Sequence, residues 1–133
     1  MSASVPLLAL GLGRCAVGAL VFARPAVLAR GMGVDSRTAE STEWIARLFG
    51  VRDLALGAGL LLAVRRAGDG LFRDRGADAV LRELLLLGVL CDTGDAIAVL
   101  AALRKKTVRP LPAAATIVTA VGAAGIGVVE AGR

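Results

Sequence analysis

Four long apolar runs, parted by short charged segments, decide what this chain can become. They cover about residues 6–23, 44–64, 79–103 and 111–129. A helix rises about 1.5 Å per residue, so each run can cross a hydrocarbon layer of roughly 30 Å once tilt is allowed. A soluble domain of 133 residues has too little interior to hide them, because small domains keep much of their surface exposed. The chain is 56% hydrophobic with a mean hydropathy of +0.74, values that suit lipid better than water. The runs are continuous blocks, unlike the ten-residue alternation of a membrane barrel. The expected fold is therefore all-α, a four-transmembrane-helix antiparallel bundle. It forms one integral membrane domain over residues 1–133, with both termini on the same side.

The breaks between the runs carry recognisable signals. Arg24-Pro25 is an expected stop for the first helix, since the residue before proline avoids helical geometry, although the apolar pattern leaves room to extend towards Leu28. Asp35 or Ser36 is placed to cap a short helix in the polar stretch from Ala29 to Glu43. Trp44 then stands where an interfacial anchor belongs. Between Ala67 and Asp78 lie several glycines with Asp69, Arg73, Asp74, Arg75 and Asp78. Neither phosphate-loop nor calcium-loop spacing is present, so this segment reads as a charged turn. The first run lacks a basic leader and has Arg14 at its centre, which makes it a retained helix and not a signal peptide.

Positive charge is distributed with a slight bias. The loops opposite the termini hold Arg24, Arg30, Arg37, Arg104, Lys105, Lys106 and Arg109, seven bases in all. The terminal side holds Arg65, Arg66, Arg73, Arg75 and Arg133, five in all, so the positive-inside rule leans towards termini outside. The net charge of +5 does not form a basic stripe with aromatic stackers, and no nucleic-acid partner is expected. Histidine is absent, and Cys15 and Cys91 form no CxxC pair, so neither a cofactor nor a metal is expected. Both cysteines read as small packing residues.

Two helices carry small side chains at every fourth position. Gly11, Cys15, Ala19 and Ala23 form one ridge, and Ala115, Thr119, Ala123 and Gly127 form the other. Such ridges let helix backbones approach closely. The second is the expected contact for another copy of the chain or another subunit. Arg47, Arg82 and Glu83 lie near enough to helix ends to reach the headgroup level.

The remaining charges have no such escape. Arg14 falls mid-way along the first run, Arg52 and Asp53 along the second, and Asp92 and Asp95 within the third. A charge facing lipid at mid-membrane costs about 2.5–3.5 kcal/mol on insertion scales, so five scattered ones would rival the net stability of a domain. Antiparallel helices bring all five to one depth, and a single interior cluster is the economical arrangement. Two arginines against three aspartates leave one negative charge, unless one carboxyl keeps a proton. Asp92 and Asp95 project about 60° apart and can face one cavity. Arg52 and Asp53, about 100° apart, are expected to seek different surroundings. Gly57 and Gly59 leave room beside them for a backbone or a ligand, and Gly18 leaves room beside the stem of Arg14.

Through Arg52-Asp53-Leu54-Ala55-Leu56-Gly57, followed by Asp92 and Asp95 in a later apolar helix, the chain resembles small uncharacterised four-helix membrane proteins of actinobacteria and fungi. Their layout is distantly similar to that of DoxX-like proteins. The resemblance implies a compact bundle with an internal polar site, in a bacterial plasma membrane, and supplies no reaction.

Two functions fit these residues. In an enzyme, Asp92 or Asp95 would donate a proton to a small lipophilic substrate drawn from the lipid bilayer, and the other carboxylate would accept one. Arg14 and Arg52 would stabilise developing charge, and Asp53 would orient an arginine. The outcome would be isomerisation, hydration or cyclisation. In the alternative, the buried ion pairs are structural, and the chain is a membrane assembly module whose small-residue ridges would recruit another subunit or a second copy as a homo-oligomer.

Overall fold

A computed structural model describes residues 5–68 and 75–132. Among the described residues there are six helices: α1 (Val5–Ala23), α2 (Pro25–Gly31), α3 (Ser36–Ser41), α4 (Glu43–Gly68), α5 (Arg75–Arg104) and α6 (Pro110–Ala131). No strand occurs among the described residues. Of the charged turn expected between Ala67 and Asp78, residues 69–74 lie outside the described residues, while Arg75 and Asp78 belong to α5.

The first helix stops where proline dictates. Arg24 leaves helical geometry at φ −137°, and Pro25 opens α2 as a separate element, so α1 does not continue to Leu28. Arg47 of α4 donates to the Phe22 carbonyl at 3.2 Å, at the C-terminal end of α1 where carbonyls lack helical donors. Asp35 caps α3 by accepting from the Thr38 backbone N–H at 3.0 Å. The α2–α3 connection is tied to the turn before α6, where the Arg109 N–H donates to the Met32 carbonyl at 2.9 Å. Gly33 takes φ +81° beneath the Arg109 side-chain stem.

Glycines set the packing of α1 on α4. Gly11 faces Gly57 and Gly18 faces Gly50, so the two helices run antiparallel with backbones in close contact. Gly11 and Cys15 of the expected every-fourth ridge both meet α4 at Gly57, whereas Ala19 and Ala23 are exposed and the contact continues at Gly18. On α6 the expected ridge is divided. Gly127 packs on Val89 and the Leu85 carbonyl of α5, whereas Ala115 and Thr119 face outward. Leu7, Leu60, Val64 and Leu85 form a small core towards the end of the bundle that holds both α1's start and Ala131.

Apolar side chains also cover the outside. Leu12 is 60% exposed, Leu62 55%, Leu90 69% and Val118 71%, so each long helix presents a large hydrophobic residue outward. A water-soluble surface of this size would not stay unpartnered. Three helical segments, Val5–Ala23, Asp78–Arg104 and Pro110–Ala131, are long and apolar enough to span a membrane, which marks the chain as a membrane protein. The fourth expected span differs. At 26 residues α4 has the length, but Arg47, Arg52 and Asp53 lower its apolar character below that of its neighbours.

Candidate functional site

Three helices bring their interior charges to one level. Arg14 lies nine residues before the end of α1, Arg52 nine after the start of α4, and Asp95 nine before the end of α5. At about 1.5 Å per residue, each stands some 13 Å inside the same end of the bundle. All five residues singled out from the sequence then join in one chain of alternating charge: Asp92, Arg14, Asp53, Arg52, Asp95.

Arg14 crosses the bundle from α1 to α5. Its guanidinium is paired with Asp92, donates to Asp53 Oδ1 at 3.3 Å, and reaches the Gly88 carbonyl at 3.4 Å. Arg52 meets Asp95 with both terminal nitrogens, Nη1 to Oδ1 at 3.0 Å and Nη2 to Oδ2 at 2.6 Å. This fork-to-fork geometry is the stronger form of the arginine–carboxylate pair. The same Nη2 donates to Asp53 Oδ1 at 3.2 Å, so a single oxygen of Asp53 links both arginines.

That link adds to one expectation. Arg52 and Asp53 turn to different helices, to Asp95 of α5 and Arg14 of α1, yet the long arginine stem also curls back over the 100° between neighbouring positions to pair with Asp53. The clearance for Arg14 is also elsewhere. Gly18 is occupied by the backbone of α4, while a Cβ at Gly88 would come within 3.2 Å of the Arg14 guanidinium. Gly88 sits four residues before Asp92, one helical turn away, and this spacing is the signal that could have identified it. Gly57 leaves room for the α1 backbone and Gly59 for Leu84, so neither borders a ligand space. Phe49 is a further neighbour missed in the sequence, its ring centroid 5.1 Å from the Arg52 guanidinium carbon.

The chain runs outward from the axis of the bundle. Side-chain exposure is 9% at Asp92 and Arg14, 19% at Asp53, 27% at Arg52 and 29% at Asp95. One acid is thus sealed inside, and the other stands at the α4–α5 seam.

A small space borders the inner side of the ion chain. A cavity of about 10 Å³ is bordered by Arg14, Gly88 and leucines of α1, α4 and α5, with Ala123 and Gly127 of α6. That is about the room of a single water molecule. A lipophilic alcohol, epoxide or enone would not enter it without parting the helices.

No curated protein and no solved structure matches the chain. A family match extends over residues 11–130 and takes in all five members of the ion chain. The chain belongs to DUF4267, a domain of unknown function.

Proposed function

We propose that this protein is a non-enzymatic membrane assembly module in which α1, α4, α5 and α6 all cross the bilayer and the ion chain fastens α1 and α4 to α5. The carrying observation is that each of the five charges meets at least one opposite charge, beside a cavity with room for about one water. A general acid needs a reacting group within hydrogen-bond reach, and the cavity beside Arg14 is too small for a lipophilic substrate. Buried pairs of this kind set helix register and association, while loss of one partner strands the other.

Pairing also supports a membrane-crossing α4. Arg52 and Asp53 are matched by Asp95 and Arg14, and Arg47 lies within one turn of the helix start beside Glu43, at 3.7 Å. A plasma membrane is the host implied by the resemblance. The DoxX-like layout agrees with four crossings and adds no reaction.

The test combines mass spectrometry with a charge exchange. Protein released from nanodiscs should carry no stoichiometric lipophilic compound other than bilayer lipid. Asp92→Asn should lower the melting temperature, and the exchange of Arg14→Asp with Asp92→Arg should recover part of the loss. A bound lipophile lost on Asp92→Asn, with melting unchanged, would overturn the reading in favour of an enzyme or carrier.

A further inference from the structure

The ion chain is asymmetric in a way that internal fastening does not require. It begins and ends with an acid, and its formal charge is one negative. Its inner acid, Asp92, is buried, whereas its outer acid, Asp95, is 29% exposed at the seam of α4 and α5. At that depth the surroundings offer neither water nor headgroups to the uncovered carboxylate.

We propose that the α4–α5 face at Asp95 docks a membrane-crossing helix of another protein that carries one lysine or arginine at mid-depth. This rests on the assembly-module reading above. The added cation would extend the alternation to a sixth member and bring the whole cluster to neutrality. Each oxygen of Asp95 accepts one hydrogen bond from Arg52, which leaves acceptor capacity on both.

The surface beside Asp95 suits a helix better than a small molecule. The cavity described above borders Arg14 and not Asp95. On α5, Gly94 has open space where a side chain would point, and Ala98 is exposed one turn further on. Small residues flanking a polar group allow a second backbone to come near enough for its side chain to reach.

A second copy of this chain is the weaker occupant. Its mid-depth bases are Arg14, buried in its own interior, and Arg52, already shared between two carboxylates. Facing two such surfaces would set two net negative chains against each other in a medium of low dielectric.

The experiment uses the full chain in lipid vesicles with synthetic leucine–alanine helices of about 20 residues, long enough to span. One peptide carries a central lysine, one a central leucine and one a central glutamate. Energy transfer from labelled peptide to labelled protein reads the association. The lysine peptide should bind on the order of tenfold more tightly than the leucine peptide. The glutamate peptide should not exceed the leucine one. Asp95→Asn should remove the lysine preference, and Asp95→Glu should keep it. Equal binding of lysine and leucine peptides to the unaltered chain overturns the proposal, and that comparison needs no variant to fold. A dimer of the chain alone that dissociates on Asp95→Asn overturns it in favour of a second copy. Failure here leaves the module reading intact as long as Asp92→Asn destabilises the bundle and no lipophile co-purifies.

Discussion

Gly18 and Gly50 approach each other reciprocally: a Cβ added to Gly18 would lie 2.7 Å from the Gly50 carbonyl oxygen, and one added to Gly50 would lie 2.8 Å from that of Gly18. Neither backbone can yield without opening the α1–α4 interface. Gly18→Ala or Gly50→Ala should therefore destabilise the bundle by about 1–3 kcal/mol, the usual range for overpacking. Gly122 on α6 has nothing within 4 Å of that position. Gly122→Ala should be neutral or stabilising by up to about 1 kcal/mol, from helix propensity alone. Thermal unfolding in detergent compares them, and equal effects at the three sites would refute the close approach.

Breaking the inner pair should cost more than loosening the outer one. Arg14 and Asp92 side chains are each 9% exposed, so Asp92→Asn leaves a guanidinium poorly compensated, at roughly 3 kcal/mol or more. Arg52→Lys keeps the charge but loses the two-pronged contact with Asp95. It should shift the melting temperature less. The reverse order would mean that the outer pair, and not the inner, fastens the helices.

The cap of α3 gives a pH dependence outside the membrane-spanning helices. Hydrogen bonds from Thr38, by side chain first and backbone N–H second, hold the Asp35 carboxyl below the usual carboxylate range. A depressed value means that the cap contributes fully above the ordinary carboxylate pKa and loses its contribution as pH falls through the lowered one. Protection of the Thr38 amide from exchange should hold at neutral pH and decline below about pH 4. Asp35→Ala should abolish that protection at every pH. An amide indifferent to both would remove Asp35 as the cap.

Gly33 governs how α2 and α3 sit on the neighbouring turn. Its φ of +81° and the overlying Arg109 stem both exclude a branched side chain. Gly33→Val should break the Met32–Arg109 backbone hydrogen bond and raise protease sensitivity between Arg24 and Thr42, while the long helices stay folded. Unchanged cleavage would show the connection to be independent of that turn.

Orientation is directly measurable. The Met32–Arg109 bond gathers the bases of both short loops at one end of the bundle. In the four-crossing arrangement that end should face the cytoplasm. Cysteine introduced at Lys105 in a chain lacking Cys15 and Cys91 should be shielded from an impermeant reagent in intact cells. Rapid labelling would invert the topology.

Much of this was legible in the sequence because the runs are long and proline punctuates them. Pro25 ended α1 and Asp35 capped α3 as their positions required. The five interior charges could be brought together by counting depth along each run, since antiparallel helices convert sequence position into level. Helix partners were harder to read. Every-fourth spacing picked out Gly11, Cys15 and Gly127, which face a neighbour, together with Ala19, Ala23, Ala115 and Thr119, which do not, and it passed over Gly18, whose contact with α4 depends on the register of both helices. Gly88 was hidden for a similar reason: the side chain it clears comes from α1, 74 positions away. The run of α4 was legible as a long helix, but its charges leave it outside the segments apolar enough to span a membrane.

The ion chain also fixes an order of events during synthesis. Arg14 emerges first and meets the first of its two counter-charges only when α4 delivers Asp53, together with a second arginine. The nascent hairpin then holds two guanidiniums and one carboxylate until α5 brings both Asp92 and Asp95. Synthesis halted before α5 would leave the ion-chain members of that hairpin one positive charge in excess. The last helix contributes no charge to the chain and joins a bundle whose electrostatics are already settled.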